Sequence, residues 1–282
     1  MEIEDYNRLY EERRASYDEL RQVYNPDGST LRKYQLHLAQ VLKDFDGFCK
    51  EHDITYYMAW GTLLGAVRHH GFIPWDDDAD IWMDRSNYRK LTALMKGEHQ
   101  ELIKDKLYVH MGIRPELWSP PFAYIDIFVL SPSPRNAILR KLKELRVVLL
   151  YCLIKTRDRM KSGFRKKSIR FLPFLPIAVL HSSEYWRKKR ERVMDWLTDE
   201  KYTKGTEYLQ EYNSDYKGVR FKFPSDPAVW QVCRLEFEDG HLNAPRSFER
   251  VLEICFGDFM QVPDADHLHV HGLKEMVEGD FQ

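Results

Sequence analysis

Apolar positions along this chain follow two periods, and together they predict interleaved helices and strands. Residues 2–23 space Ile3, Tyr6, Leu9, Tyr10, Tyr17 and Leu20 at helical intervals among many charges. That pattern predicts an exposed amphipathic helix, closed by the turn Asn25-Pro26-Asp27-Gly28. Ser29 or Thr30 can cap a second helix, whose stripe runs Leu31, Tyr34, Leu38, Val41, Leu42, Phe45, Phe48. The run Ile54-Thr55-Tyr56-Tyr57-Met58-Ala59-Trp60 is rich in β-formers and short enough for a buried strand. A glycine turn at Gly61-Thr62 and a brief helix over Leu63 to His69 should follow. After the loop His70 to Trp75, the aspartates 76–78 and Asp80 lead into the apolar strand Ile81-Trp82-Met83, then a helix from about Ser86 to Lys96. Further strands are expected at 107–111 and 122–130. Beyond them, Ile138, Leu142, Leu145 and Leu149 form one helical stripe, and 171–180 is an apolar patch. A charged helix is expected over Ser183 to Leu197, a strand over Trp230 to Phe237, a helix over Ser247 to Phe256, and finally an irregular tail.

Composition changes this picture in one place. The 282 residues hold 43 Lys+Arg against 44 Asp+Glu, a net charge of −1, which gives no general electrostatic case for nucleic acid. Between Arg135 and Arg170, however, 13 Lys/Arg face two acids, a local net of +11 that leaves −12 for the remainder. Three readings fit 135–180: a solvated helical insertion, a groove for an anionic glycan, or in-plane contact with an anionic membrane leaflet. Cys49, Cys152, Cys233 and Cys255 lie far apart with no CxxC pair, which favours a reducing compartment. The acidic start lacks a secretory pattern, and no run of 18 apolar residues exists, so a cytoplasmic protein without a spanning helix is expected.

The informative chemistry lies between Trp60 and Met83. Asp78 and Asp80 are one residue apart at the start of an apolar strand, so both carboxylates project from one face. Two bare carboxylates there repel unless a cation sits between them, and Mg²⁺ is the natural one, held by carboxylates, substrate phosphates and water. Acidic runs are usually solvated surface, but this one is enclosed by Ile73-Pro74-Trp75 and Ile81-Trp82-Met83. Asp126, flanked by Ile125 and Ile127, would add a third carboxylate if its strand lay beside the first, and two metal ions could then clamp an in-line displacement at phosphorus. Gly61 and Thr62, at a helix start, would offer backbone N–H groups to a donor phosphate, and Arg68 a planar fork to a second.

The stretch from Trp60 to Ile81, WGTLLGAVRHHGFIPWDDDADI, resembles the signature of the LicD family of phosphotransferases, similar to the nucleotidyltransferase superfamily. Resemblance continues at Tyr124-Ile125-Asp126-Ile127-Phe128 and from Phe237-Glu238-Asp239-Gly240 to Phe256-Gly257-Asp258-Phe259-Met260. Ala79 and Trp82 depart from the family's usual residues, a bulkier aliphatic and a small one. The resemblance implies a CDP-alcohol donor, typically CDP-choline, and an acceptor hydroxyl on a surface glycan or its lipid-linked precursor (teichoic acid, capsule or lipopolysaccharide). Asp78, Asp80 and Asp126 would then hold Mg²⁺, with Mn²⁺ able to substitute, and Asp76 would be a further acidic position of the motif. Either Asp126 or Asp76 would take the acceptor's proton. A choline group needs aromatic faces or carboxylates, and Trp75, Trp118 and Tyr124 are the aromatic candidates. Ribitol- or glycerol-phosphate transfer, nucleotidyl transfer and a membrane-associated scaffold without catalysis remain as alternatives.

The expected fold is α/β (α+β): a nucleotidyltransferase-like mixed β-sheet core flanked by helices, with a mainly helical insertion. Residues 1–130 would supply the N-terminal helices and catalytic core, 131–219 a basic lobe, and 220–282 the rest of the core. Localisation would be cytoplasmic, extending to the inner face of the plasma membrane if 135–180 makes membrane contact. The tail His267-Leu268-His269-Val270-His271 reads as a terminal loop over the donor or a mobile end, rather than a zinc cluster.

Overall fold

The computed structural model describes residues 11, 16–94, 102–103, 110–112, 124–162, 172–197, 199–211 and 221–262. Trp118 and the histidine tail lie outside them. The chain is an α+β protein whose described residues form two compact units. The first takes those up to Ile103, 110–112, 124–128 and from Pro227 onward; the second takes those from Val129 to Asp226.

The first unit opens with helix α1 at 16–24, the described part of the expected amphipathic helix. Helix α2 (Thr30–Glu51) follows, with Ser29 as its cap: the Ser29 side chain accepts from the Arg32 N–H at 3.1 Å. Its helical stripe buries Tyr34, Leu38, Val41, Leu42 and Phe45. Strand β1 is only Tyr57–Met58, because Trp60 turns to a φ of +42° and starts helix α3 (Trp60–His69) three residues earlier than the sequence pattern suggested. Strand β2 (Ala79–Asp84) and helix α4 (Arg85–Leu94) come next, then β3 (Leu102–Ile103), β4 (His110–Gly112) and β5 (Tyr124–Pro132). The order across the sheet is β1-β2-β5-β4-β3, so β2 and β5 are direct neighbours. Near the chain's end, β8 (Val232–Phe237) and β9 (Gly240–Pro245) pair antiparallel around the turn Glu238-Asp239, and helix α9 (Phe248–Phe256) follows. The alternating burial of β8 puts Cys233, Leu235 and Phe237 in the core.

In the second unit, the far end of β5 pairs with β6 (Tyr208–Glu211), which pairs with β7 (Phe223–Pro224). Long helix α5 (Ala137–Ser162), short α6 (Leu175–Ala178), α7 (Ser183–Leu197) and short α8 (Glu200–Thr203) make up its helical part. Leu150, Leu153 and Ile154 of α5 pack with Ala178 and Trp186, and the Trp186 indole N–H donates to the Ala178 carbonyl at 3.2 Å. The expected boundaries at 131 and 219 fall inside this unit. No disulfide joins the cysteines among the described residues, and no helix among them is long and apolar enough to cross a membrane.

Candidate active site

The acidic motif spans the loop before β2 and the first residues of that strand, and three contacts hold the loop in place. Gln35 on α2 donates its amide to the carbonyls of Ile73 (3.1 Å) and Asp76 (2.8 Å), while its own oxygen accepts from Asn25 at 2.8 Å. From the other side comes Glu238, in the hairpin turn. Its carboxylate takes both arms of Arg32, at 2.8 and 2.6 Å, and the Phe72 N–H at 3.1 Å. The Glu238 N–H in turn donates to the His70 carbonyl at 2.6 Å. Finally, the Asp80 N–H donates to the Thr62 hydroxyl at 2.8 Å, pinning the start of β2 to the first turn of α3.

This frame brings the predicted carboxylates together. Asp78, just before β2, Asp80 on β2 and Asp126 on β5 each present one oxygen, and the three oxygens lie within 4.8 Å of one another. Adjacent strands with residues on a common face account for the convergence. Asp80 is buried, whereas Asp78 and Asp126 are partly open. Asp76 is also buried, and its carboxyl is pushed well above the usual carboxylate range, first by burial and then by the neighbouring charge and hydrogen bond of Asp78. That carboxyl explains Gly61: a Cβ at this position would lie 2.5 Å from Asp76 Oδ2. The glycine is therefore needed for close approach by a carboxyl of the same chain.

The other residues expected at a donor phosphate have work elsewhere in the fold. Thr62 is buried and braces Asp80. Arg68 is only 2 % exposed, and its guanidinium donates to the carbonyls of Phe259 and Gln261 and to His69 Nε2. Burial pulls its pKa down to about 10. It ties the segment after α9 to α3. His69, accepting from Arg68, is held well below the ordinary imidazole range by burial and by that neighbouring charge.

Among the expected aromatic residues, Trp75 is buried edge-on between Tyr24 (5.5 Å) and His69 (6.5 Å), a packing role. Tyr124 begins β5 opposite Gly112, and its side chain, like Trp118, lies outside the described residues. Of the aromatics nearer the carboxylates, Trp82 was noted in the sequence, whereas Trp60 and Phe128 were not expected at the site. Trp82 and Phe128 come two residues after Asp80 and Asp126, hence on the same strand faces. Trp60 packs against both, with ring centroids 5.6 Å from Trp82 and 6.3 Å from Phe128. Trp82 is fully buried and fills core beside the carboxylates. The i, i+2 alternation from each aspartate was the signal that could have found this wall.

Residues 53–117 match the family described as LicD/FKTN/FKRP, nucleotidyltransferase domain. Over 269 residues the chain is 26 % identical to the lipopolysaccharide cholinephosphotransferase LicD of Haemophilus influenzae, covering 87 % of this chain and 97 % of that protein. It is also 38 % identical over 85 residues to an uncharacterized protein of Rickettsia typhi, covering 29 % of this chain and 28 % of that one. A Rickettsia prowazekii protein, likewise uncharacterized, is 51 % identical over 49 residues, 17 % of this chain and 18 % of its own.

Proposed function

We propose a reaction for this chain from the premise that it belongs to the LicD family and is a transferase, as its nucleotidyltransferase domain and its likeness to the Haemophilus enzyme indicate. The reaction is transfer of a phospho-alcohol group, phosphocholine first, from a CDP-linked donor to a sugar hydroxyl of a surface glycan or its lipid-linked precursor, with release of CMP. The observation that carries this reading is the convergence of Asp78, Asp80 and Asp126. Three hard oxygen donors within 4.8 Å of one another suit Mg²⁺, which prefers carboxylate oxygen and retains room for phosphate and water. Bound there, the ion would neutralise charge on the donor's phosphate oxygens, as divalent cations do in phosphoryl transfer.

The protein's own groups supply the rest. The Thr62–Asp80 hydrogen bond holds the first turn of α3 against β2, so that the positive end of the helix dipole lies beside the carboxylates, and we place the donor's phosphates there. We assign the proton of the attacking hydroxyl to Asp126, which stays partly open beside the other two carboxylates. Asp76 is buried, and burial first and the neighbouring Asp78 second push its carboxyl above the usual carboxylate range. Trp60 and Phe128, both half-buried, are the aromatic faces best placed to meet a quaternary ammonium cargo.

The test is CMP release from CDP-choline with Mg²⁺ and a lipopolysaccharide acceptor. Asp80→Asn and Asp126→Asn should each lower turnover by at least about a hundredfold while circular dichroism stays native. Wild-type turnover in either variant overturns the assignment. Release of CMP from CDP-ribitol or CDP-glycerol alone would keep the chemistry and change the cargo.

A further inference from the structure

Helix α5 is apolar on two faces. One face is core: Val147, Leu150 and Ile154 are buried. On the other, Ile138, Leu142, Leu145 and Leu149 recur at i, i+4, i+7 and i+11, so they form one stripe along the helix. They are 74, 55, 59 and 43 % exposed. Exposed leucines scattered singly are ordinary, but an unbroken row is the mark of a binding face. Lys141 borders the stripe on one side and Arg146 on the other, both exposed. Lys141 also meets Glu144 at 3.3 Å.

Arg146 leads from this stripe into a second feature. With Tyr185, Lys188, Lys189, Arg192 and Trp196 of α7, it lines a groove of about 420 Å³. The α7 residues are spaced i, i+3, i+4, i+7 and i+11, one helix face again. Four cations share the groove with two aromatic rings, and the Arg146 guanidinium lies 5.9 Å from the Trp196 ring centre. Lys188 reaches Glu184 at 3.6 Å, a pair at the exposed edge.

We propose that this face of α5 and α7 is a docking surface for an anionic lipid leaflet. The stripe would lie in the acyl–headgroup boundary, and the groove would take headgroup phosphates. Charge complementarity chooses the occupant. A second copy of the chain would set one cationic groove against another, and a soluble anionic glycan would leave the leucine row uncovered. Interfacial helices combine these parts, an apolar face bordered by Lys and Arg with Trp or Tyr at the level of the headgroups. The inference does not depend on the phosphotransfer reading, and the Asp80→Asn variant should bind as the native chain does.

Co-sedimentation of the full chain with vesicles is the experiment, using phosphatidylcholine alone and with about one-third phosphatidylglycerol. Binding is expected to the mixed vesicles at low salt, falling as salt rises, and not to the neutral ones. Leu142→Ser with Leu145→Ser, and separately Lys188→Ala with Arg192→Ala, should each weaken it roughly tenfold or more. Both pairs are exposed, so melting temperatures should stay native. Absence of binding to the anionic vesicles overturns the proposal, as does binding that neither pair weakens. It is equally overturned by a dimer that the leucine pair dissolves, or by a soluble phosphorylated polysaccharide that binds as tightly as vesicles with no dependence on the leucines.

Discussion

Lys143 is a lysine with no exposed surface, on the core side of α5, with its ammonium 5.7 Å from the Trp196 ring centre. Burial pushes its pKa down to about 7. In the unfolded chain the group titrates at about 10.4, so between those values the unfolded state binds more protons. Stability attributable to this residue therefore rises with pH from about 7 upward, and is least below it. Lys143→Met should raise the melting temperature at neutral pH and flatten that rise, which scanning calorimetry across pH 6 to 10 would show. Gly61→Ala makes the opposite kind of change. Its added carbon meets Asp76 Oδ2, and overpacking at such contacts costs about 1–3 kcal/mol, seen as a lower melting temperature. The three aspartates were legible from the sequence because alternation and apolar flanks are local properties. The task of Arg68 was not, since its acceptors Phe259 and Gln261 lie 191 and 193 residues away.

At the scale of elements, α2 stands where its apolar period puts it, because helix patterns run over many turns and average out exceptions, and α7 spans the charged helix expected there. Strands were harder. β9, with the sequence Gly-His-Leu-Asn-Ala-Pro, has few β-formers and exists because β8 supplies its ladder. Several carboxylate contacts couple that hairpin to the rest of the first unit, and the two least exposed are those of Glu238 and Asp46. Glu238 with Arg32 is 11 and 15 % exposed, so Glu238→Gln leaves a largely buried guanidinium without its charge partner. A loss of roughly 3 kcal/mol is expected in urea denaturation, smaller in the double variant Arg32→Met/Glu238→Gln. Burial tends to raise the Asp46 carboxyl, but hydrogen bonds from Lys50, Arg234 and Tyr56 outweigh it and hold the group below its usual value. Its contribution is thus present above the unfolded pKa of about 3.9 and lost as pH falls through the folded one. Asp46→Asn should therefore bring its largest loss of stability near neutrality and a smaller one at pH 3, measurable in parallel melts.

For the whole molecule, the α+β class and the charge asymmetry could both be read from the sequence, since each sums over many residues. The division of labour along α5 could not. A four-residue stripe looks the same whether it faces core or solvent, and only packing against α6 and α7 shows which of the helix's two apolar faces is covered. The Arg32–Glu238 pair has a further consequence, which concerns the order in which the protein is made. Its partners stand 206 residues apart, so the three converging aspartates leave the ribosome long before the turn that secures their loop exists. A nascent chain halted after Asp226 would carry the whole acidic motif yet lack its outer clasp. Such a fragment should melt without cooperativity in its first unit, and synthesis must run to the final hairpin before catalysis can begin.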